Sequence, residues 1–193
     1  MTHLLEFGFR LAEWNAIFPT YEQFKIIPNK PFLKLESIEY QQEYGTGPLC
    51  SFQMSLKNIQ TGQMITGPFY STRQVETLEV KKIHVGSENE IAAISVKADQ
   101  QKGEIYGLRL YDYSARKIVE EIFDKSTVAA WHRKVIPPGH RIIGYQCNTR
   151  EFCIERLGFL LWCPEPSNKQ QKEFDFDEIL KRRKAIEKEM KKE

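Results

Sequence analysis

The sequence predicts a mainly β, antiparallel domain, preceded by an aromatic, proline-rich arm and followed by a charged helix. Three observations carry that expectation. Short runs with strand spacing recur between turn signals about every 8–12 residues, the rhythm of an all-β domain. Glycines interrupt β-branched and aromatic runs at Ile142-Ile143-Gly144-Tyr145, at Gly158-Phe159-Leu160-Leu161-Trp162 and at Ile105-Tyr106-Gly107-Leu108, where they mark bulges or close backbone approaches. After Trp162 the composition turns abruptly to prolines and charge. The divisions expected are an arm over 1–32, a β domain over 33–163, and a proline linker with a helical tail over 164–193.

The arm concentrates Phe7, Phe9, Trp14, Phe18, Tyr21, Phe24 and Phe32 with Pro19, Pro28 and Pro31. Phe7, Phe9 and Leu11 alternate as a strand would, while Leu4, Phe7, Leu11 and Trp14 fit a helix, so periodicity leaves the first element open. The prolines favour an extended path, packed on the domain or on a partner.

From Leu33 the strands become plain. Leu33, Leu35, Ile38 and Tyr40 open one, Gly45 to Pro48 turns it, and Leu49, Phe52, Met54 and Leu56 return. A polar turn at Asn58 to Gln63 leads to Ile65 and to Gly67-Pro68-Phe69-Tyr70. Val75 to Val85 comes next, then the loop Gly86 to Asn89. Ile91, Ile94 and Val96 pair across a turn with Ile105, Leu108 and Leu110. Residues 114–125 read either as polar strands or as a short helical turn. Pro137-Pro138-Gly139-His140 is a turn, because proline presets φ and glycine supplies a positive one. The polar turn Cys147 to Arg150 then joins the last two strands.

In the tail, Asp175 or Asp177 can cap a helix with an acidic start and basic later turns, matching its macrodipole. Its apolar side is thin: Phe176, Ile179, Leu180, Ile186 and Met190. It is either a solvated helix or one that lays Phe174, Phe176, Ile179 and Ile186 on another protein, with Lys181, Arg182 and Arg183 as rim charge.

A faint repeat runs through the domain. Leu49, Phe52 and Met54, then Ile105, Leu108 and Leu110, then Ile154, Leu157 and Phe159 each follow a turn with the same uneven spacing. Three such units imply three related sheets.

Four segments in this order resemble the jacalin-like β-prism family: Leu35-Glu36-Ser37-Ile38-Glu39-Tyr40, Val75-Glu76-Thr77-Leu78-Glu79-Val80, the hairpin Ile91 to Asp112, and Arg141-Ile142-Ile143-Gly144-Tyr145 running on to Ile154-Glu155-Arg156-Leu157-Gly158-Phe159. The resemblance covers about two thirds of the chain and implies a threefold set of four-stranded sheets, with Val75 to Val80 opening the middle one. It also implies sugar binding, through a Gly-x-x-x-Asp loop before the last glycine and a free amino group or glycine-rich loop near the start. Here the loop's two positions hold Glu151 and Glu155, and the glycine-rich opening is replaced by the aromatic arm. A glutamate reaches one methylene further than aspartate, and Glu151 puts a side chain where backbone must approach a ligand. Tyr145, Glu151 and Glu155 are the residues a shifted carbohydrate loop would use.

At 41% hydrophobic and 28% charged residues the chain can build a core, and a net charge of +2 gives little steering towards nucleic acid. No uninterrupted apolar run approaches ~18 residues, so no membrane span is expected. The four cysteines form no CxxC pair and the histidines lack ligand spacing, so no metal or cofactor is expected. Cys147 and Cys153 flank a turn and could face each other across a hairpin; reduced, partly buried thiols are the expectation. No GxSxG, HExxH or phosphate-cradling loop is present, and the reading is not an enzyme. The resulting expectation is a structural or adaptor subunit of a cytosolic or cytoskeletal assembly, ciliary microtubules being the specific case. Its partners would be protein subunits with an acidic surface such as tubulin; the alternative is a cytosolic jacalin-like lectin.

Overall fold

A computed structural model describes residues 2–8, 32–42, 47–72, 78–99, 104–123, 129–150, 153–162 and 174–190. Among the described residues twelve strands lie in three sheets, and every pairing is antiparallel. The first sheet holds β2 (Leu33–Gln42) and β3 (Leu49–Asn58), flanked by β6 (Lys81–His84) on β2 and by β4 (Met64–Thr66) and β5 (Tyr70–Ser71) on β3. The middle sheet has β7 (Ala93–Ala98) and β8 (Ile105–Tyr111) at its centre, between β10 (Ala130–Val135) and β9 (Lys117–Ile122). The last sheet runs β1 (Thr2–Gly8), β12 (Cys153–Trp162), β11 (Arg141–Arg150). The one helix among the described residues is α1 (Phe176–Met190).

The sequence repeat is the architecture. Leu49, Phe52 and Met54 lie on β3, Ile105, Leu108 and Leu110 on β8, and Ile154, Leu157 and Phe159 on β12, one triplet per sheet, and all nine side chains are buried in one shared core. Their uneven spacing has a physical cause. A strand exposes alternate residues to one face, so an apolar face that skips a residue needs a bulge. Each triplet has one where it skips. The register steps past Cys50 between Gln41↔Ser51 and Gln42↔Leu49, and past Tyr106 between Lys97↔Gly107 and Ala98↔Ile105. It steps past Glu155 between Asn148↔Arg156 and Thr149↔Ile154. A further shift at Glu36 explains why the apolar face of β2 changes phase between Leu35 and Ile38.

Several sequence expectations are resolved or corrected. The open choice at the N-terminus falls to strand, with Phe7 paired to Leu157, while Phe9 and Leu11 lie outside the described residues. Residues 117–122 form a strand, not a helical turn. The bulge near Gly144 is present, with Ile143 the extra residue, whereas Gly158 sits in regular register with both Gln146 and Glu6. The stretch likened to the opening strand of the middle sheet shows no strand at Leu78 to Val80, residues 73–77 lie outside the described set, and β6 joins β2 in the first sheet instead. Cys147 lies opposite Leu157 and Cys153 opposite Arg150, so the two thiols do not face each other; neither is in a disulfide and both are buried.

The sheets are joined by specific contacts. The Tyr40 hydroxyl donates to Glu121 (2.6 Å), and its ring packs 4.8 Å from that of Phe123, joining first and middle sheets. Phe52 sits edge-on to Tyr145 and to Phe159, joining first and last. Glu90, just before β7, accepts from Lys34 of β2 at 2.8 Å and faces Arg141 of β11 at 3.7 Å. One carboxylate thus contacts cations from both neighbouring sheets.

Candidate ligand-binding surfaces

The first candidate is the mouth of the β11–β12 hairpin. Because β12 bulges at Glu155, both Glu155 and Arg156 lie at least partly at the surface, between buried Ile154 and Leu157. The equivalent bulge residues of the other two sheets, Cys50 and Tyr106, are buried. The threefold arrangement is therefore broken at the position that the resemblance aligned with a sugar-binding aspartate, where the chain carries a surface carboxylate. Glu151, the other loop residue, lies outside the described residues.

Tyr145 does not belong to such a site. It is 4% exposed, its ring is 5.5 Å from that of Tyr70 and 5.4 Å from that of Phe52, and its hydroxyl donates to the Pro68 carbonyl. Gly67 lies so close that a Cβ there would stand 2.7 Å from the Tyr145 Cε1. Burial pushes both phenols upward, Tyr70 to about 12. Tyr145 was expected to join Glu151 and Glu155 in a shifted carbohydrate loop; its ring packs in the core between the first and last sheets instead.

The second candidate is the tail. Asp175 caps α1, its carboxylate accepting from the Glu178 amide at 3.0 Å. Phe176 is 1% exposed, packed with Leu180 among Ala92, Ala93, Tyr111 and Ala115 at one end of the middle sheet. Phe174 sits edge-on to Tyr113 with ring centroids 5.0 Å apart, and Ile179 packs against the same cluster. Arg133 of β10 pairs with Asp177 and lies over the Phe176 ring at 5.6 Å. Ala115 holds a left-handed φ of 57°, which costs an L-residue about 1–2 kcal/mol, and its methyl lies in this cluster.

The tail expected to meet a partner thus divides. Phe174, Phe176 and Ile179 are spent on the chain's own sheet and are offered to a partner only if the helix undocks. Lys181 and Arg182 are exposed, with Arg182 paired to Glu178 at 2.9 Å. Arg183 pairs with Glu187 at 2.9 Å and reaches the Ser114 carbonyl at 3.4 Å. Ile186 and Met190 are 57% and 72% exposed. The receiving pocket was not anticipated from the sequence. Its only signal was Ala92-Ala93, a pair of small residues where the neighbouring strands carry large ones.

A third surface is the remainder of the outer face of the middle sheet. Trp131 lies over Gly107, whose added Cβ would meet its Cη2 at 2.9 Å, and the Arg109 guanidinium stands 3.7 Å from the indole centroid. Glu120 holds Arg109 from the far side at 2.7 Å and also receives Lys117. This ladder is internally paired, and Trp131 has its cation already in place. Among the described residues no group of three or more His, Cys, Asp or Glu is placed to hold a metal ion.

No protein-family profile matches the chain, and no curated protein sequence matches it. Solved structures do match. Single-chain recombinant jacalin aligns with a TM-score of 0.55 at 11% identity, over 83% of this chain and 94% of that one. Frutalin from Artocarpus incisa aligns at 0.54 and 11% identity, over 84% and 97%. The mosquito-larvicidal Cry4Aa toxin from Bacillus thuringiensis aligns at 0.58 and 11% identity, over 83% of this chain and 32% of the toxin. These likenesses concern the fold: the chain has a divergent jacalin-like β-prism.

Proposed function

We propose that this chain is a non-catalytic carbohydrate-binding module whose ligand meets the mouth of the β11–β12 hairpin. One observation carries the reading: of three equivalent bulges, only that of β12 presents a carboxylate, Glu155, and Arg156 follows it at the surface. A carboxylate accepts from vicinal hydroxyls, and a bulge is a common device for aiming a side chain. The jacalin-like resemblance supports the same place. The test is a glycan array with the full chain and with Glu155→Ala. A glycan class bound by the first, competed by free sugar and lost in the second, is the expected result. A folded protein that retains no glycan, or whose glycan binding survives the substitution, overturns the proposal.

A second reading is favoured by a separate observation. Ile186 and Met190 stand exposed on a helix that carries five cations against two carboxylates over residues 181–190. This reading makes the chain an adaptor subunit that meets an acidic protein surface, tubulin being one such surface, within a cytosolic or cytoskeletal assembly. The fold itself does not choose between the two readings, because one fold hosts many sites.

A further inference from the structure

We infer that β4 is a docking edge for a second copy of this chain, paired antiparallel across a twofold axis at Ile65. Residues 58–72 contain no Asp, Glu, Lys or Arg, the longest such run in the chain. Buried strands lack charge as a rule, but this run is mostly surface, with ten of its fifteen residues exposed. Ile59, Met64 and Phe69 among them are 45%, 47% and 43% exposed. The same run supplies one edge of the first sheet, shared by β4 and β5. Open edges invite pairing, and folded proteins blunt them with charge. Among the described residues every other edge strand is blunted in this way: β6 carries Lys81, β10 Arg133, β9 Lys117, β11 Arg141 and β1 Glu6. β4 and β5 carry no charge at all.

The backbone fixes how a partner pairs. The Asn58 amide donates to the Gln63 carbonyl and the Gly67 amide to that of Met54, each at 2.9 Å. Hydrogen-bonded pairs alternate along an antiparallel ladder, so Ile65, opposite Leu56, turns its N–H and C=O to β3. Met64 and Thr66 turn theirs to the open edge, which gives each copy four free groups. A second β4, laid with its Thr66 opposite Met64, uses all of them in four hydrogen bonds. It also sets the two Ile65 side chains across a non-hydrogen-bonded pair, where side chains lie closest. Ile65 packs on the core yet is only partly buried, and this pairing covers its open side. The lack of charge favours a second copy over a foreign strand. A twofold contact sets residues against their own copies, so charge in it repels itself. An uncharged run meets itself without that cost, and offers a foreign partner no charge pattern to read. The contact also closes on itself, because the other edges are charged, so it yields a dimer and not a fibre. Neither the glycan-binding nor the adaptor role requires this dimer.

Sedimentation velocity of the full chain over a wide concentration range reads the assembly, and a monomer–dimer equilibrium is expected. Met64→Pro tests the backbone. Its lost N–H faces outward, so the monomer tolerates proline, while the dimer loses two of its four hydrogen bonds. The dissociation constant should rise about thirtyfold. Should that variant not fold by circular dichroism, Met64→Lys on the same exposed side chain carries the same expectation through like-charge repulsion. Val80→Lys, an exposed residue beside the opposite edge of the sheet, should leave the equilibrium unchanged. Ile65→Cys reads the register: air oxidation should cross-link it into a covalent dimer far more readily than the wild type. A chain that stays monomeric, forms species larger than a dimer, or dimerises equally well with either Met64 substitution overturns the proposal. An extended threonine–valine peptide is run beside these samples; a monomer that binds it gives the edge to a foreign strand and overturns the second copy.

Discussion

Replacing Tyr145 by phenylalanine takes the donor from the Pro68 carbonyl and leaves the ring in its aromatic cluster. The expected cost is about 0.5–1.5 kcal/mol in chemical denaturation, with glycan binding unaffected. Gly67→Ala acts on the same contact from the other side. Its Cβ would push a packed ring rather than a flexible chain end, so a loss of about 1–3 kcal/mol is expected. Glu120 supplies a pH dependence. The hydrogen bond from Lys117, aided by Arg109 and opposed by desolvation, holds its carboxyl below the usual range. Its folded-state pKa lies below its unfolded one, so its stabilisation is complete at neutral pH and fades as pH falls through the folded value. The pair is partly solvated, which keeps the effect small. Thermal melts of wild type and Glu120→Gln should differ at pH 7 and converge towards pH 3.

At the scale of elements, α1 is expected to leave the prism without unfolding it. Phe176→Ala removes the side chain that fills the alanine-lined pocket. Hydrogen exchange should then accelerate along Phe176–Met190 while β11 and β12 keep their protection. Loss of protection across all three sheets would instead make the helix integral to the core. Much at this scale was legible in the sequence. The triplets Leu49-Phe52-Met54, Ile105-Leu108-Leu110 and Ile154-Leu157-Phe159 announced three sheets because apolar spacing is a direct record of burial. Their irregularity was legible as a repeat but not as a bulge, since a bulge is defined by a partner strand that spacing alone does not supply. The burial of Tyr145 was hidden because its ring partners, Phe52 and Tyr70, lie on other strands, and so was the cis docking of Phe176. A pocket assembled from Ala92, Tyr111 and Ala115 on separate segments leaves no local pattern.

Across the whole molecule, Glu90 links all three sheets by facing Lys34 and Arg141. Glu90→Gln should lower stability by about 1 kcal/mol at low salt and by less at high salt, because the pairs are partly exposed and therefore screened. A deficit that does not depend on salt would mean that packing, not charge, is what the side chain contributes.

The pairing of Thr2 with Trp162 has a mechanical consequence. The strand that enters the prism and the strand that leaves it are antiparallel neighbours, and their outer ends lie side by side. Tension applied through Thr2 and Trp162 therefore loads the ladder between β1 and β12 at one end, so that its hydrogen bonds break in succession, as a zip opens, rather than all together in shear. Pulled from those points in a force spectrometer, the domain should yield at low force and release β1 first. Pulled from Thr2 and Arg156, which stand at opposite ends of the same ladder, the two strands are loaded along their length and should resist far more.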